Sequence, residues 1–176
     1  DRRSDLVDLC RRYVDQIFSA MAAKQRKTFW CEKTPLNLLS LEFLWEMFPD
    51  AAVIHIKRDP RGVLQSLLKQ AWAPNDPEPA LHMLRAIYSR WKKVKERLDF
   101  SEKRYMEVKI EDFPDNPPER MKDLLSFIGA DSRVSYPTES FSRDKIEYWR
   151  QAYPRDLLNL CEKNLGEFFE LMGYEI

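Results

Sequence analysis

A basic side chain, a helix start and a hydroxyl follow one another after an apolar segment of the chain. Arg58 comes directly after Ala52–Lys57, and Asp59 with the proline that follows it is a usual beginning of a helix. The guanidinium and the positive end of the helix dipole would meet at one place, which favours an anionic ligand. Gly62 leaves room in the first turn of that helix, and Ser66 lies one turn further along the same face. The combination favours an anion site over a structural ion pair between Arg58 and Asp59.

A second cationic position follows Thr28–Cys31, a short run of residues that favour β-strands. Glu32 and Lys33 come directly after it. An ammonium group at a strand end can stabilise negative charge on a departing group, and a carboxylate beside it can accept a proton. A solvated lysine and an ion-paired glutamate are the plain alternatives at these two positions.

The composition argues against several other kinds of site. Only four of the 176 residues are glycine, and no Gly-rich phosphate loop of the GxxxxGKS or GxGxxG type can be drawn. The 29 basic residues balance the 29 acidic ones, which argues against a nucleic-acid partner. No apolar run reaches the roughly 20 residues that cross a bilayer, and neither His55 nor His82 has an acidic partner at metal-ligand spacing. We expect no metal site, and three unpatterned cysteines favour a reducing, cytoplasmic location.

Hydrophobic periodicity predicts helices that alternate with three short strands. The predicted helices cover residues 4–24, 36–48, 60–70, 78–98, 117–128 and 154–172, and the predicted strands cover residues 28–31, 52–57 and 105–110. Residues 130–148 show no period and are predicted to form a surface loop. This order implies an α/β fold with a parallel sheet that is covered by helices on both faces. In such a sheet ligands bind at the carboxyl ends of the strands, where Lys33, Arg58 and the pair Glu111–Asp112 are expected. Three strands are few for this much helix, so we expect one domain over residues 1–176 that is incomplete upstream of Asp1.

Several short stretches carry a likeness to a known family. They are Trp30–Asn37 (WCEKTPLN), Phe48–Ala51 (FPDA), Ile56–Arg61 (IKRDPR) with Ser66, Val108–Phe113 (VKIEDF), Pro118–Gly129, Trp149 and Leu171–Tyr174. Together they resemble the sulfotransferases that use 3′-phosphoadenosine 5′-phosphosulfate (PAPS), in the style of the bacterial and tyrosylprotein branches. The resemblance covers the chain from about position 28 onward. It implies a three-layer α/β/α fold related to P-loop proteins, and transfer of a sulfuryl group from PAPS to a hydroxyl or amine acceptor.

The resemblance also implies roles for individual residues. Arg58 and Ser66 would hold the 3′-phosphate of the nucleotide, with Gly62 in the same binding site. Lys33 would lie near the bridging oxygen or the sulfuryl group. Arg143 and Lys145 stand where the family places a basic loop over the 3′-phosphate, although its Arg-Lys-Gly sequence is not reproduced.

The chain departs from the family pattern at three places. Pro35 stands where cytosolic members carry a catalytic histidine, and Ile110 where many members have a tyrosine that contacts the nucleotide. Glu32 is then the carboxylate beside Lys33 that could serve as the base. The family's loop for the 5′-phosphosulfate, rich in Gly, Ser and Thr, would precede Asp1. We therefore expect the chain by itself to be a weak or inactive enzyme.

Two other function classes stay open at the level of the sequence. A nucleotide kinase or a related P-loop phosphotransferase would have a similar sheet order, and binding of 3′-phosphoadenosine 5′-phosphate (PAP) in preference to ATP would argue against it. A non-catalytic interaction module could use the surfaces around Trp72 and Trp91, and it predicts no stabilisation by any nucleotide. The acceptor could equally be a sugar, a phenol or a peptide, and the oligomeric state is open.

Overall fold

A computed structural model describes residues 2–131 and 141–176 of the chain. The α-helices are α1 (Arg2–Lys24), α2 (Leu41–Met47), α3 (Pro60–Leu67), α4 (Pro77–Arg97), α5 (Pro117–Ile128), α6 (Arg143–Ile146), α7 (Trp149–Ala152) and α8 (Arg155–Met172). The strands are β1 (Val53–Lys57) and β2 (Tyr105–Lys109), and two 3₁₀ helices cover Pro35–Ser40 and Ile110–Asp112. The result is a mixed α/β fold that is mostly helical and has a small parallel sheet.

The first of two compact units consists of the chain up to Ala51 together with Val94–Arg104. Its core forms where α1 packs against α2. The apolar side chains buried there include Val7, Leu41 and Trp45. Most of the α1 surface is exposed, so this unit has a thin core for its length of helix.

Two predictions in the first unit are wrong in detail. Residues 28–31, predicted as a strand, have no regular secondary structure. The Trp30 ring instead stacks on Phe18 at 4.8 Å and meets the edge of Phe48 at 5.7 Å, so the aromatic side chains that indicated a strand pack against α1 and the end of α2. The predicted helix over 36–48 is divided into a 3₁₀ helix and α2, because the backbone leaves helical geometry at Ser40 (φ −123°, ψ 19°).

The second unit, Ala52–Lys93 with Tyr105–Ile176, contains the sheet. β1 and β2 pair in parallel, with Val53 opposite Tyr105 and Lys57 opposite Lys109. The predicted parallel pairing of these two segments is confirmed. Since both strands run in one direction, the residues that follow them meet at the same edge of the sheet.

Helix α3 packs against both α7 and α8 in the second unit. Leu64 of α3 and Leu165, Phe168 and Phe169 of α8 are all at most 1% exposed. This packing holds α3 in place. The first turn of α3 comes shortly after the carboxyl end of β1, so the packing also positions the residues at this edge of the sheet.

The predicted loop over 130–148 contains helix in the part that is described. α6 forms at Arg143–Ile146 and α7 begins at Trp149, and both Ile146 and Trp149 are buried. Four-residue helices are too short for a 3.6-residue period to repeat, so periodicity could not indicate them. Residues 132–140 of that prediction lie outside the described residues.

None of the helices in the described part of the chain combines the length and the hydropathy that crossing a bilayer requires.

Candidate functional site

Arg58 follows β1 directly and is half-buried. Its Nη2 donates to the carbonyl oxygen of Ile146 at 2.5 Å and reaches that of Lys145 at 3.5 Å. Its Nε is buried and has no acceptor in the described part of the chain. No carboxylate in residues 2–131 or 141–176 forms an ion pair with Arg58, and its hydrogen-bond partners in these ranges are backbone carbonyls. A guanidinium in this state is suited to bind a phosphate group.

The ion pair at the start of α3 involves Arg61 rather than Arg58. The Asp59 carboxylate accepts from the Arg61 backbone N–H at 2.8 Å and from Nε and Nη2 of Arg61 at 2.9 and 2.7 Å. The guanidinium of Arg61 also lies 4.4 Å from the ring centre of Trp149 and 4.8 Å from that of Phe169. Asp59 therefore caps α3 and binds Arg61, which leaves Arg58 without a carboxylate partner among the residues that the structure describes.

Gly62 is in the first turn of α3, where other side chains approach the backbone closely. A Cβ atom at Gly62 would lie 2.7 Å from Nε of Arg58 and 3.2 Å from Cδ1 of Trp149. A methyl group therefore could not be added without displacing one of these side chains. The absence of a side chain here is what allows Arg58 to lie against α3.

Ser66 lies one turn after Gly62 on α3 and is exposed. Its hydroxyl forms no hydrogen bond with any other described residue. It is thus open to a ligand from solvent.

The two basic residues of α6 are in different states. Arg143 binds the carboxylates of Asp115 and Glu147, and the hydrogen bond to Asp115 raises the pKa of Arg143 above its ordinary value. Lys145 is exposed, and no ion pair of its ammonium group occurs within the described ranges. The α6 carbonyls bind Arg58, so this short helix lies beside Arg58, and Lys145 carries the uncompensated charge.

Glu32 and Lys33 belong to the first unit, whereas the residues above belong to the second. Both side chains are exposed. The Glu32 carboxylate accepts from Oγ1 of Thr34 at 2.5 Å and from Nδ2 of Asn37. Lys33 has no hydrogen bond or ion pair with another described residue. Its ammonium group is therefore free to meet an anion, and Glu32 is held by neutral donors rather than by a cation.

A polar network covers one face of the strand pair. Nδ1 of His55 lies 2.8 Å from the Tyr105 hydroxyl, which donates to Glu107 at 2.9 Å, and Lys57 binds the other Glu107 oxygen at 2.7 Å. The His55 ring, whose Nδ1 lies 3.7 Å from a Glu107 oxygen, and then the bonds from Lys57 and Tyr105 hold the pKa of Glu107 well below its ordinary value, against the opposing effect of burial. This network is satisfied internally and lies on the strands rather than after them.

The sequence predicts that Glu111 lies at the carboxyl edge of the sheet, and it assigns no role to this residue. One of its oxygens accepts from the backbone N–H of Asp59 at 3.0 Å, and the other accepts from the Tyr174 hydroxyl at 2.5 Å. Burial, together with the bond to Glu111, raises the pKa of Tyr174 above its ordinary value. The signal that could have indicated this contact is that Arg58–Asp59 and Glu111 follow neighbouring parallel strands.

Two further features bear on other kinds of site. Within residues 2–131 and 141–176, no three His, Cys, Asp or Glu side chains are grouped so that they could hold a metal ion. An open groove of about 400 Å³ lies along β2 and α5, lined by Met106, Val108, Phe113 and Phe127 among others. It contains none of the predicted site residues, so it is separate from the surroundings of Arg58.

Comparison with known proteins assigns the chain to a family. A family model described as the sulfotransferase family matches residues 1–135. The match covers most of the 176 residues, and the chain belongs to the sulfotransferase family. No curated protein and no solved structure matches it. Lys33, Arg58 and Ser66 fall inside the matched stretch, whereas Arg143 and Lys145 follow it.

Proposed function

We propose that this chain contributes the nucleotide-binding part of a sulfotransferase that uses PAPS as its donor. The observation that supports this most directly is the state of Arg58. Its guanidinium lies at the carboxyl end of β1, against a glycine of α3, and within residues 2–131 and 141–176 it has carbonyl partners and no carboxylate partner. A buried donor without an acceptor calls for a ligand or a water, and a phosphate group satisfies both the charge and the open donors.

In this proposal Arg58 and Ser66 bind the 3′-phosphate of the nucleotide. Gly62 keeps the first turn of α3 clear, so that the guanidinium can lie close to the helix. Lys145, and less directly the carboxylate-bound Arg143, add positive potential beside Arg58. PAPS and ATP differ at the 3′ position, where only PAPS has a phosphate, so this group of residues would also select the donor.

Lys33 and Glu32 are proposed to serve the transfer step. An acceptor oxygen or nitrogen forms a bond to sulfur while the bond from sulfur to the 5′-phosphate oxygen breaks, and the leaving PAP carries the negative charge. The Lys33 ammonium group would stabilise that charge. Glu32 would accept the proton that the acceptor loses.

We also propose that β1 and β2 belong to the sheet of a three-layer α/β/α fold of the P-loop type. The parallel pairing, and helices that both connect and follow the strands, support this. The acceptor is proposed only as a hydroxyl or amine compound.

The proposal is tested by measuring nucleotide binding and catalytic turnover separately. Lys33→Ala is expected to lower kcat by about 100-fold or more while the Kd for PAP stays unchanged, because it removes a charge needed mainly in the transition state. Arg58→Ala is expected to weaken PAP binding by about 10- to 100-fold, since a hydrogen bond to a charged group contributes about 1.5–3 kcal/mol. Lys27→Ala, at another exposed lysine of the first unit, is the control and should change neither.

The measurements are transfer of labelled sulfate from PAPS to a phenol, an amino sugar and a tyrosine peptide, and calorimetric titration with PAP. Loss of PAP binding in Lys33→Ala in proportion to its loss of turnover would contradict the catalytic role. Stabilisation of the protein by ATP but not by PAP would argue for a phosphotransferase instead.

A further inference from the structure

Glu111 connects three parts of the second unit at the carboxyl edge of the sheet. It lies in the 3₁₀ helix that follows β2. One oxygen accepts from the backbone N–H of Asp59, and the other accepts from the hydroxyl of Tyr174. Both oxygens of this carboxylate are therefore used within the second unit.

The bond from Asp59 to Glu111 fixes the peptide group between Arg58 and Asp59. That group is planar, so the direction of the Asp59 N–H sets the backbone rotation at Arg58. At its other end Arg58 is held by the carbonyl of Ile146 at 2.5 Å. Arg58 is thus held both at its backbone and at its guanidinium.

We propose that Glu111 is a positioning residue that orients Arg58 for the 3′-phosphate, an inference that rests on the proposed function of Arg58. Asp59 is only 3% exposed, and its N–H has no other hydrogen-bond acceptor within the described residues. If the carboxylate is removed, a buried donor is left unsatisfied, which is costly enough for the peptide group to rotate toward another acceptor. Rotation at this peptide group moves the Arg58 side chain away from the position that Gly62 leaves open.

The first test observes Arg58 directly, without nucleotide. Its Nε is buried, so the ¹⁵N–¹H resonance of this group should be protected from exchange and visible by NMR. Glu111→Leu is expected to shift or broaden this resonance. Glu107→Leu is the matched control, because Glu107 lies in β2, shortly before Glu111, and its two carboxylate oxygens likewise accept hydrogen bonds, from Lys57 and Tyr105. This control variant is expected to be less stable than the wild type and to show the Arg58 Nε resonance at its wild-type position.

The second test uses the ratio of the affinities for PAP and AMP, which differ in the 3′-phosphate. Glu111→Leu is expected to reduce this ratio by about tenfold, because the interaction of a misplaced guanidinium with the phosphate is weakened. Glu107→Leu is expected to keep the wild-type ratio. If Glu111 only stabilises the fold, Glu111→Leu will lower the melting temperature and leave the ratio of the PAP and AMP affinities unchanged.

Two conservative variants keep the inference testable if Glu111→Leu does not fold. Glu111→Gln retains an acceptor for the Asp59 N–H and is expected to restore both the resonance and the ratio. Glu111→Asp keeps the charge but is one methylene shorter, so it is expected to behave like the leucine variant in milder form. An unchanged Arg58 resonance in both Glu111→Asp and Glu111→Leu would overturn the inference. If the wild-type protein does not distinguish PAP from AMP, the proposed function fails, and the resonance still decides whether Glu111 positions Arg58.

Discussion

At the scale of single residues, Asp59 determines both where α3 begins and which arginine has a carboxylate partner. Asp59 caps the helix as its position before a proline indicates. The sequence favoured an anion site over an ion pair between Arg58 and Asp59, and the structure pairs Asp59 with Arg61. The choice of Arg61 as the partner of Asp59 depends on Trp149 and Phe169. Their rings flank the Arg61 guanidinium, and both residues are distant from Asp59 in the sequence. The residues near Asp59 in the sequence give no indication of these contacts, so they could not be predicted from that stretch alone.

Gly62→Ala tests the close approach of Arg58 to α3. Alanine favours a helix over glycine by about 1 kcal/mol, but the added Cβ would lie 2.7 Å from Nε of Arg58. We expect little net gain in stability, and PAP affinity about tenfold weaker, because Arg58 must move. Thermal unfolding and calorimetric titration with PAP measure both effects.

Gly166→Ala is the matched control for that variant. Gly166 is in α8, and its Cβ would meet only Cδ1 of Ile176, at 3.6 Å, within the described residues. This variant should be more stable by about 0.5–1 kcal/mol and should bind PAP as the wild type does. If Gly62→Ala gained the same stability and kept its PAP affinity, Arg58 would not depend on the glycine.

At the scale of elements, the sequence predicted the long helices and the two paired strands and failed for short or aromatic segments. β1 and β2 could be recognised because their apolar residues are flanked by turns and helices. Residues 28–31 also favour β-strands, but their Trp30 packs between Phe18 and Phe48. A strand needs a neighbour to pair with, and a single sequence does not show whether one is present. The helix α6 was missed for a different reason, since it has only four residues.

The clearest pH dependence of the stability is expected from Glu107, in the strand pair. Its pKa is lower in the folded protein than the ordinary value of 4.5. A carboxylate of this kind contributes stability that is fully present above pH 4.5 and is lost as the pH falls toward the folded-state pKa. We expect Glu107→Gln to lower the free energy of unfolding at pH 7 by about 1 kcal/mol, a small value because the side chain is 24% exposed. It should also flatten the loss of stability between pH 4.5 and about 2.

Urea unfolding at pH 7, 4.5 and 3 measures this effect. Glu170→Gln, at an exposed carboxylate of α8, is the control and should keep the wild-type dependence on pH. An equally steep loss of stability in Glu107→Gln would mean that the network with His55 and Lys57 does not hold the ionised form.

At the scale of the whole molecule, membership of the sulfotransferase family and the state of Arg58 support one account. The family match covers residues 1–135, and the sequence had predicted Arg58, Gly62 and Ser66 as one group near the start of a helix. The backbone carbonyls of α6 that bind Arg58 could not be predicted, because any residue type supplies a carbonyl. Glu111 could have been connected to Asp59 only once the register of β1 and β2 was known.

The most direct measurement of the central claim is the ratio of the affinities for PAP and AMP in the wild-type protein, in Arg58→Ala and in Arg150→Ala. Arg150 is an exposed arginine of α7 that pairs with Glu147, so its variant controls for a general loss of positive charge. We expect the wild type and Arg150→Ala to bind PAP at least about tenfold more tightly than AMP, and Arg58→Ala to bind both nearly equally. Equal binding of PAP and AMP by the wild type, or an unchanged ratio in Arg58→Ala, would contradict the assignment of Arg58 to the 3′-phosphate.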